Sequence, residues 1–306
     1  MTVTSSGGGG ATPVVGIVGI GAMGSAMAMH LMRGGYEVVG VDVDPGRRAA
    51  FAEAGGRAAT LAEVGSACDI IVTSLPSAQA ARDILGPTSA WAAQGLPGRV
   101  IVETSTLSVA EKEELAKSAA VLGAELLDCP MSGTSQQAVN ADLVAYISGS
   151  PEGKARAADV LAQFTRAVYD VGALGNGTRV KLVANLLVAI HNVSAAEALL
   201  LAKRVGLDLE TTLAAVADGA GNSRMLEVRG PLMIDERYSP ATMRVSLFRK
   251  DVRLIRELEE SVGLETPLLG VVDRIYREAE EAGLGDLDTA SVLTILQQSA
   301  PREGSA

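Results

Sequence analysis

Short apolar runs rich in β-branched residues recur through the first half of the chain. Each is followed by small or polar residues and then by a longer Ala-rich stretch. Residues 14–18 (Val-Val-Gly-Ile-Val), 36–41, 69–75, 99–103 and 125–128 are runs of this kind. They are apolar throughout rather than alternating, the pattern of strands buried on both faces of a parallel sheet. Between them, residues 25–33, 59–67, 79–85 and 109–122 carry helical spacing. Two later runs, 144–149 and 167–171, predict two further strands. Alternation of strand and helix up to about residue 174 predicts a doubly wound α/β domain. From Gly175 the spacing turns helical almost throughout, predicting helices over 178–205, 209–218, 223–227, 249–262, 267–282 and 288–298. Breaks are expected at Gly206, 219–221, Gly230-Pro231, Ser239-Pro240 and 283–285. The expected architecture is therefore an N-terminal domain over 13–174 and an all-α domain over 175–306, joined by a long helix. Residues 1–12 are Gly/Ser-rich, lack the basic and apolar regions of a secretory signal, and predict a disordered tail.

The joining helix carries the first sign of chemistry. Two glycines, Gly175 and Gly177, open it, and Lys181 and Asn185 lie four residues apart, on one face of a helix. Leu182, Val183, Leu186, Leu187, Val188 and Ile190 cover its remaining sides, which predicts a buried helix. Burying an ammonium favours its neutral form. Lys181 is therefore either paired structurally, snorkelling to the surface, or a proton-transfer group.

Composition narrows the function classes. Aromatic residues make up 3% of the chain and the formal net charge is -10, a poor basis for base stacking, phosphate binding or a polybasic membrane anchor. No nucleic-acid or membrane partner is expected. Two cysteines (Cys68, Cys129) and two histidines (His30, His191) offer no metal-ligand spacing, so no metal is expected. A reducing cytoplasm is the simplest setting. His30, His191 and Cys129 read as structural groups.

The dinucleotide fingerprint supplies the cofactor. The first strand leads into Gly19-Ile20-Gly21-Ala22-Met23-Gly24, a helix follows, and the second strand ends at Asp42-Val43. Strand, G-x-G-x-x-G, helix, strand and acid together form the Rossmann signature, with pyrophosphate on the helix N-terminus and ribose hydroxyls on the acid. Asp42 repels a 2′-phosphate, so NAD is the expected preference with NADP the alternative, although Arg47 and Arg48 follow closely. Leu75, Pro76 and Thr106 follow strand C-termini, where open α/β sheets bind ligands.

Four stretches together resemble the β-hydroxyacid dehydrogenases. They are the glycine motif at 16–24, Asp128-Cys129-Pro130-Met131-Ser132-Gly133-Thr134, the spacing Gly175-x-Gly177-x-x-x-Lys181-x-x-x-Asn185, and Phe248-Arg249-Lys250-Asp251. The resemblance spans nearly the whole chain. It implies an NAD(P)-dependent enzyme interconverting a small 3-hydroxy carboxylic acid and its semialdehyde or oxo form. Lys181 is then the acid–base catalyst. Asn185, Ser132, Gly133 and Thr134 hold the substrate, and Thr106 and Lys250 contact the dinucleotide. Thr134 stands where the family usually has a second glycine, and residues 135–138 and 140–142 also depart from the usual pattern. Those departures fall beside the substrate. Arg224 stands where relatives often carry an apolar or aromatic residue. Semialdehyde or imine reduction as the working direction, and a non-catalytic dinucleotide-binding module, remain the alternatives. The apolar helical domain predicts a homodimer or homotetramer.

Overall fold

Alternate residues of the central strands feed two different cores, which explains why those strands are apolar on both sides. Residues 14–299 are described in the structure, a computed structural model; the tail expected over 1–12 lies outside them. Nine strands occur among the described residues: β1 (Val15–Val18), β2 (Val38–Val41), β3 (Arg57–Ala58), β4 (Ile70–Thr73), β5 (Val100–Glu103), β6 (Glu125–Asp128), β7 (Met131–Ser132), β8 (Leu143–Ile147) and β9 (Thr165–Asp170). The helices are α1 (Ala22–Arg33), α2 (Pro45–Glu53), α3 (Leu61–Ala67), α4 (Ala78–Leu85), α5 (Ala90–Gln94), α6 (Val109–Val121), α7 (Ser135–Val139), α8 (Pro151–Ala162), α9 (Asn176–Arg204), α10 (Leu209–Ala217), α11 (Arg224–Ile234), α12 (Val245–Val262), α13 (Pro267–Glu281) and α14 (Val292–Ser299). The chain divides into two compact units, Met1–Lys181 and Leu182–Ala306.

In the first unit, six parallel strands run in the order β3-β2-β1-β4-β5-β6, the doubly wound arrangement. Val15, Ile17, Val38, Ile70, Val72, Val100 and Val102 enter one core with Met27 and Leu31 of α1 and Val160 and Leu161 of α8. Val18, Val39, Ile71, Ile101 and Leu126 enter the other with Val64 of α3, Leu85 of α4, Trp91 of α5 and Leu115 of α6. The pleat thus sends neighbouring residues to helices on opposite faces. The last three strands form a separate sheet, β7-β8-β9, tied to β6 by the Asp128–Ser148 bridge. Helix α8 was not evident in the sequence; Ser150 caps it by accepting from Gly153 N–H (3.0 Å), and Pro151 opens it.

The second unit is helical. Its core gathers Leu182, Val193 and Leu199 of α9 with Leu226, Phe248, Val252, Leu269, Tyr276 and Leu293. Two expectations need correcting. Gly230-Pro231 does not end α11, which continues to Ile234. Leu226 and Met233 anchor both ends of that stretch in the core, and Gly230 lets Leu213 of α10 pack where a Cβ would lie 2.7 Å from its Cδ1. Packing here outweighs the missing N–H of Pro231. Nor is α9 buried all round: Val183, Leu187 and Leu201 are 57%, 50% and 65% exposed. Among the described helices α9 is also the one long and apolar enough to span a bilayer by length and composition. Its amides, however, are used inside the second unit: Asn185 donates to Asp251 (3.0 Å), and Asn192 to Tyr276 Oη (2.8 Å) and Thr289 O (2.9 Å). From Leu182 onward, α9 is a core helix of that unit.

Candidate active site

Strand register gathers the predicted cofactor residues at one edge. Val41, Val18, Thr73, Glu103 and Asp128 are successive partners across β2, β1, β4, β5 and β6. All five strands therefore end level, and the segments 19–24, 42–43, 74–76, 104–106 and 129–133 leave the same edge of the sheet. This is where an open parallel sheet binds a nucleotide.

Two glycines of the first loop have a steric reason. Gly19 has φ +92°, and a Cβ there would lie 2.2 Å from Ser74 O. A Cβ on Gly24 would lie 1.9 Å from Gly19 O, so the first turn of α1 closes onto the loop only without side chains. Gly21, by contrast, faces open space, the nearest atom to a Cβ being Arg47 Nη1 at 3.9 Å. It occupies the N-cap of α1, which has no side-chain cap and no acid in its first turn. Ala22 and Met23 begin that turn. An uncapped, open, acid-free helix N-terminus suits a pyrophosphate.

Asp42 follows β2 and is buried. Its Oδ2 accepts from Ile20 N–H (2.8 Å) and its Oδ1 from Asp44 N–H (2.9 Å), tying the acid to the glycine loop. Arg47 Nη1 lies 3.5 Å from Oδ2, and Arg48 donates to the carbonyls of Asp42 (2.6 Å) and Val43 (3.2 Å). Val43 itself is almost fully exposed. A cavity of about 380 Å³ adjoins Asp42, lined by Val41, Arg48, Ala58, Ala59, Thr60 and Glu63, and is of ligand size. Ala58 to Glu63 were missed by sequence reasoning, because two-residue β3 gives no periodic signal; the Thr60–Glu63 cap pair was the one available clue. Leu75 N–H donates to Ser105 Oγ (2.9 Å), joining the loops that carry Leu75, Pro76 and Thr106. The first unit thus fits a nicotinamide dinucleotide by its bare helix N-terminus, its glycine contacts and its acid.

The predicted substrate residues Ser132, Gly133 and Thr134 lie between the end of β7 and the start of α7. Ser132 ends β7, and Gly133 follows at φ +143°, where a Cβ would lie 2.7 Å from Leu143 Cδ2. Thr134 is the N-cap of α7: its Oγ1 accepts from Gln137 N–H (3.3 Å) while Gln137 Oε1 accepts from Thr134 N–H (3.0 Å). Cys129 is fully buried, and burial with the neighbouring Asp128 carboxylate pushes its thiol well above the usual range. It is no nucleophile at neutral pH.

Lys181 and Asn185 are both buried on α9. The first turn of that helix is held by Asp128, whose Oδ2 accepts from Thr178 N–H (2.8 Å) and whose Oδ1 accepts from Thr178 Oγ1 (2.8 Å). Gly177 N–H donates to Ser148 Oγ (3.0 Å). A Cβ on Gly177 would lie 2.4 Å from Tyr146 O, which is why the helix opens on glycine. In the second unit, Asp251 accepts from Asn185 and lies 3.5 Å from Lys250 Nζ, so that Asn185, Asp251 and Lys250 form one cluster.

A dinucleotide-binding oxidoreductase is the class that this fold and these residues define. Residues 14–172 match the model of the NAD-binding domain of 6-phosphogluconate dehydrogenase, and residues 175–296 match that of NADP-dependent 3-hydroxyisobutyrate dehydrogenase. The L-threonate dehydrogenase of Cupriavidus necator is 33% identical over 283 residues, covering 92% of this chain and 95% of that one. Among solved structures, 3-hydroxyisobutyrate dehydrogenase from Salmonella typhimurium aligns with a TM-score of 0.83 at 31% identity, covering 92% of this chain and 99% of that one. The Mycobacterium tuberculosis 3-hydroxyisobutyrate dehydrogenase, solved with L-serine, aligns with a TM-score of 0.84 at 25% identity, covering 94% and 99%. The chain belongs to the 3-hydroxyisobutyrate dehydrogenase-like β-hydroxyacid dehydrogenase family. It is an NAD(P)-dependent hydroxyacid dehydrogenase.

Proposed function

We propose that the chain interconverts a small 3-hydroxy carboxylic acid and its oxo form, with Lys181 as the acid–base group and NAD preferred over NADP. The observation that carries this is a buried lysine one turn inside a capped helix, four residues before a buried, oriented asparagine. The chemistry supplied by a bound nicotinamide dinucleotide is hydride acceptance or donation at the carbinol carbon. In oxidation the neutral amine of Lys181 takes the hydroxyl proton; in reduction its ammonium returns one to the alkoxide oxygen. The substrate carboxylate falls to the Ser132 hydroxyl and Gly133 N–H. Thr134 supports that pair from the cap of α7, and Asn185 holds the hydroxyl end. Lys250 is assigned to the dinucleotide, together with Gly19, Gly21, Gly24, Leu75, Pro76 and Thr106. Preference for NAD rests on the Asp42 carboxylate, which is aligned by two backbone N–H groups.

Turnover of Lys181→Ala tests the reading. A panel of L-threonate and 3-hydroxyisobutyrate with NAD, and of glyoxylate and succinic semialdehyde with NADH, finds the best substrate and direction. Lys181→Ala is expected to lower kcat by about a thousandfold or more while NADH affinity, read by its fluorescence, changes less than about threefold. Near-normal turnover in that variant would sink the assignment.

The exposed Val183, Leu187 and Leu201 lie along one side of α9, residues 183 and 201 being five whole turns apart, and support self-association of the helical unit as a homodimer or homotetramer. We place the protein in the cytoplasm. Cys68 and Cys129 are free thiols, buried in different cores of the first unit, and burial pushes Cys68 up to about 12.

A further inference from the structure

The pairing of β5 with β6 sets Glu103 directly beside Asp128, and both carboxylates are buried. Like charges side by side in a dry interior are strongly unfavourable unless a cation answers them. That cation is Lys112 of α6, which has no exposed surface. Its Nζ pairs with Glu103 Oε2, lies 3.1 Å from Asp128 Oδ1 and donates to Glu103 O (3.1 Å). Burial works against the ammonium, but the Glu103 and Asp128 carboxylates outweigh it and raise its pKa above the ordinary lysine value. Lys112 therefore stays charged at any working pH.

A buried charge cluster contributes little net stability compared with an apolar replacement of the same shape. What this one does is join two parts of the site. On one side, Glu103 Oε1 accepts from Ser105 N–H (3.0 Å), and Ser105 Oγ in turn accepts from Leu75 N–H, fixing the loops that carry the expected cofactor residues. On the other side, Asp128 caps α9. Its Oδ1 receives both Lys112 and the Thr178 hydroxyl, so Lys112 sets the rotation of the carboxylate whose Oδ2 takes Thr178 N–H. The surplus negative charge of the cluster faces the positive end of α9. Lys181 lies three residues beyond Thr178, about 4.5 Å along the axis.

We propose that Lys112 is a positioning residue: through Asp128 and Thr178 it fixes the first turn of α9 and with it the amine of Lys181. This rests on Lys181 being the acid–base group. A misplacement of about 1 Å at a reacting group costs on the order of a hundredfold in rate, so loosening this cap shows in kcat before it shows in binding.

The test uses the full chain with the best substrate of the panel above and NAD. Lys112→Met removes the cation; Thr178→Val removes the hydroxyl arm at nearly constant shape and leaves all three charges in place. Each variant is expected to lower kcat by roughly ten- to a hundredfold with substrate KM within about threefold. The double variant is expected to lose no more than the worse single one, because both act through the same carboxylate. Hydrogen exchange of the backbone amides at 177–182, measured without substrate, is expected to quicken in both. Normal kcat and unchanged exchange in folded Thr178→Val overturn the proposal, as do multiplicative losses in the double variant. Should Lys112→Met fail to fold, Thr178→Val decides alone. If Lys181→Ala keeps its turnover while exchange at 177–182 still quickens, the reading of Lys181 has failed and the anchoring of the helix has not.

Discussion

Replacing Asp42 by Asn separates cofactor selectivity from cofactor binding. The carboxylate is buried, with Ile20 and Asp44 N–H groups on its two oxygens and Arg47 at 3.5 Å. Asparagine keeps the volume and one acceptor, but its NH₂ must face one of those two donors. That mismatch costs about 1–3 kcal/mol. It affects NAD and NADP alike and cancels in the ratio of their kcat/KM values. What does not cancel is charge. Two unit charges roughly 4 Å apart, the separation that a 2′-phosphate in place of a ribose hydroxyl bound to this carboxylate would have, repel by about 1 kcal/mol in water and about 4 kcal/mol at the lower dielectric near a protein surface. At 1.4 kcal/mol per factor of ten, neutralising Asp42 should shift the NAD/NADP selectivity ratio by roughly five- to several-hundredfold towards NADP. Arg47, released from its acid, adds in the same direction. The assay is steady-state kcat/KM for both cofactors with one substrate, together with NADH and NADPH fluorescence titrations. A folded Asp42→Asn protein whose selectivity ratio moves by less than about threefold would refute the electrostatic account.

Two further outcomes are expected. Asp288 is fully buried, lies 3.4 Å from Arg229, and accepts from Thr242 N–H and Oγ1, Met243 N–H and Ala290 N–H. Burial raises its pKa, but Arg229 and these donors outweigh that and hold it below the ordinary 3.8. A depressed carboxylate stabilises the fold above its unfolded pKa and ceases to as pH falls through the folded one. Asp288→Asn should therefore lower stability by about 3–5 kcal/mol near neutrality, by leaving Arg229 uncompensated. The gap in Tm should narrow as pH drops below about 4; a gap constant from pH 7 to pH 3 would contradict it. Leu201→Glu, at the exposed stripe of α9, should lower the mass measured by light scattering from an oligomer towards a monomer at low micromolar concentration. An unchanged mass would remove that stripe from the interface.

Much of the site was legible because its parts are local in sequence. Gly19, Gly24 and Asp42 are defined by spacing along one strand–turn–helix–strand unit, and the contacts of Gly24 with Gly19 O and of Asp42 with Ile20 N–H arise within that unit. The central strands were legible for a similar reason, since burial on both faces writes an apolar run. Elements whose existence depends on distant partners were not. Strand β3 has two exposed residues and is a strand because Gly40 and Val39 pair with it. The separation of β7-β8-β9 into its own sheet follows from pairing, which no hydrophobic pattern records. The capping role of Thr134, whose hydroxyl and N–H both pair with Gln137 at the start of α7, was likewise not read from the glycine-rich motif in which it stands.

The two buried lysines show where that boundary falls. Lys181 announced itself because it stands in an apolar run along its own helix. Lys112 sits in Glu111-Lys112-Glu113-Glu114, a stretch whose composition is that of a solvated helix face, and it is nonetheless fully enclosed. Its burial is decided elsewhere, by the parallel register that places Glu103 opposite Asp128 and so creates a demand for one cation at that level of the sheet. A lysine on α6 meets the demand because Ser108 and Glu111 fix where that helix begins, through the reciprocal cap at its N-terminus. The chemistry of a lysine in this protein is thus set by what its neighbours leave unsatisfied. At Lys181 those neighbours are read along the helix, and at Lys112 across the sheet.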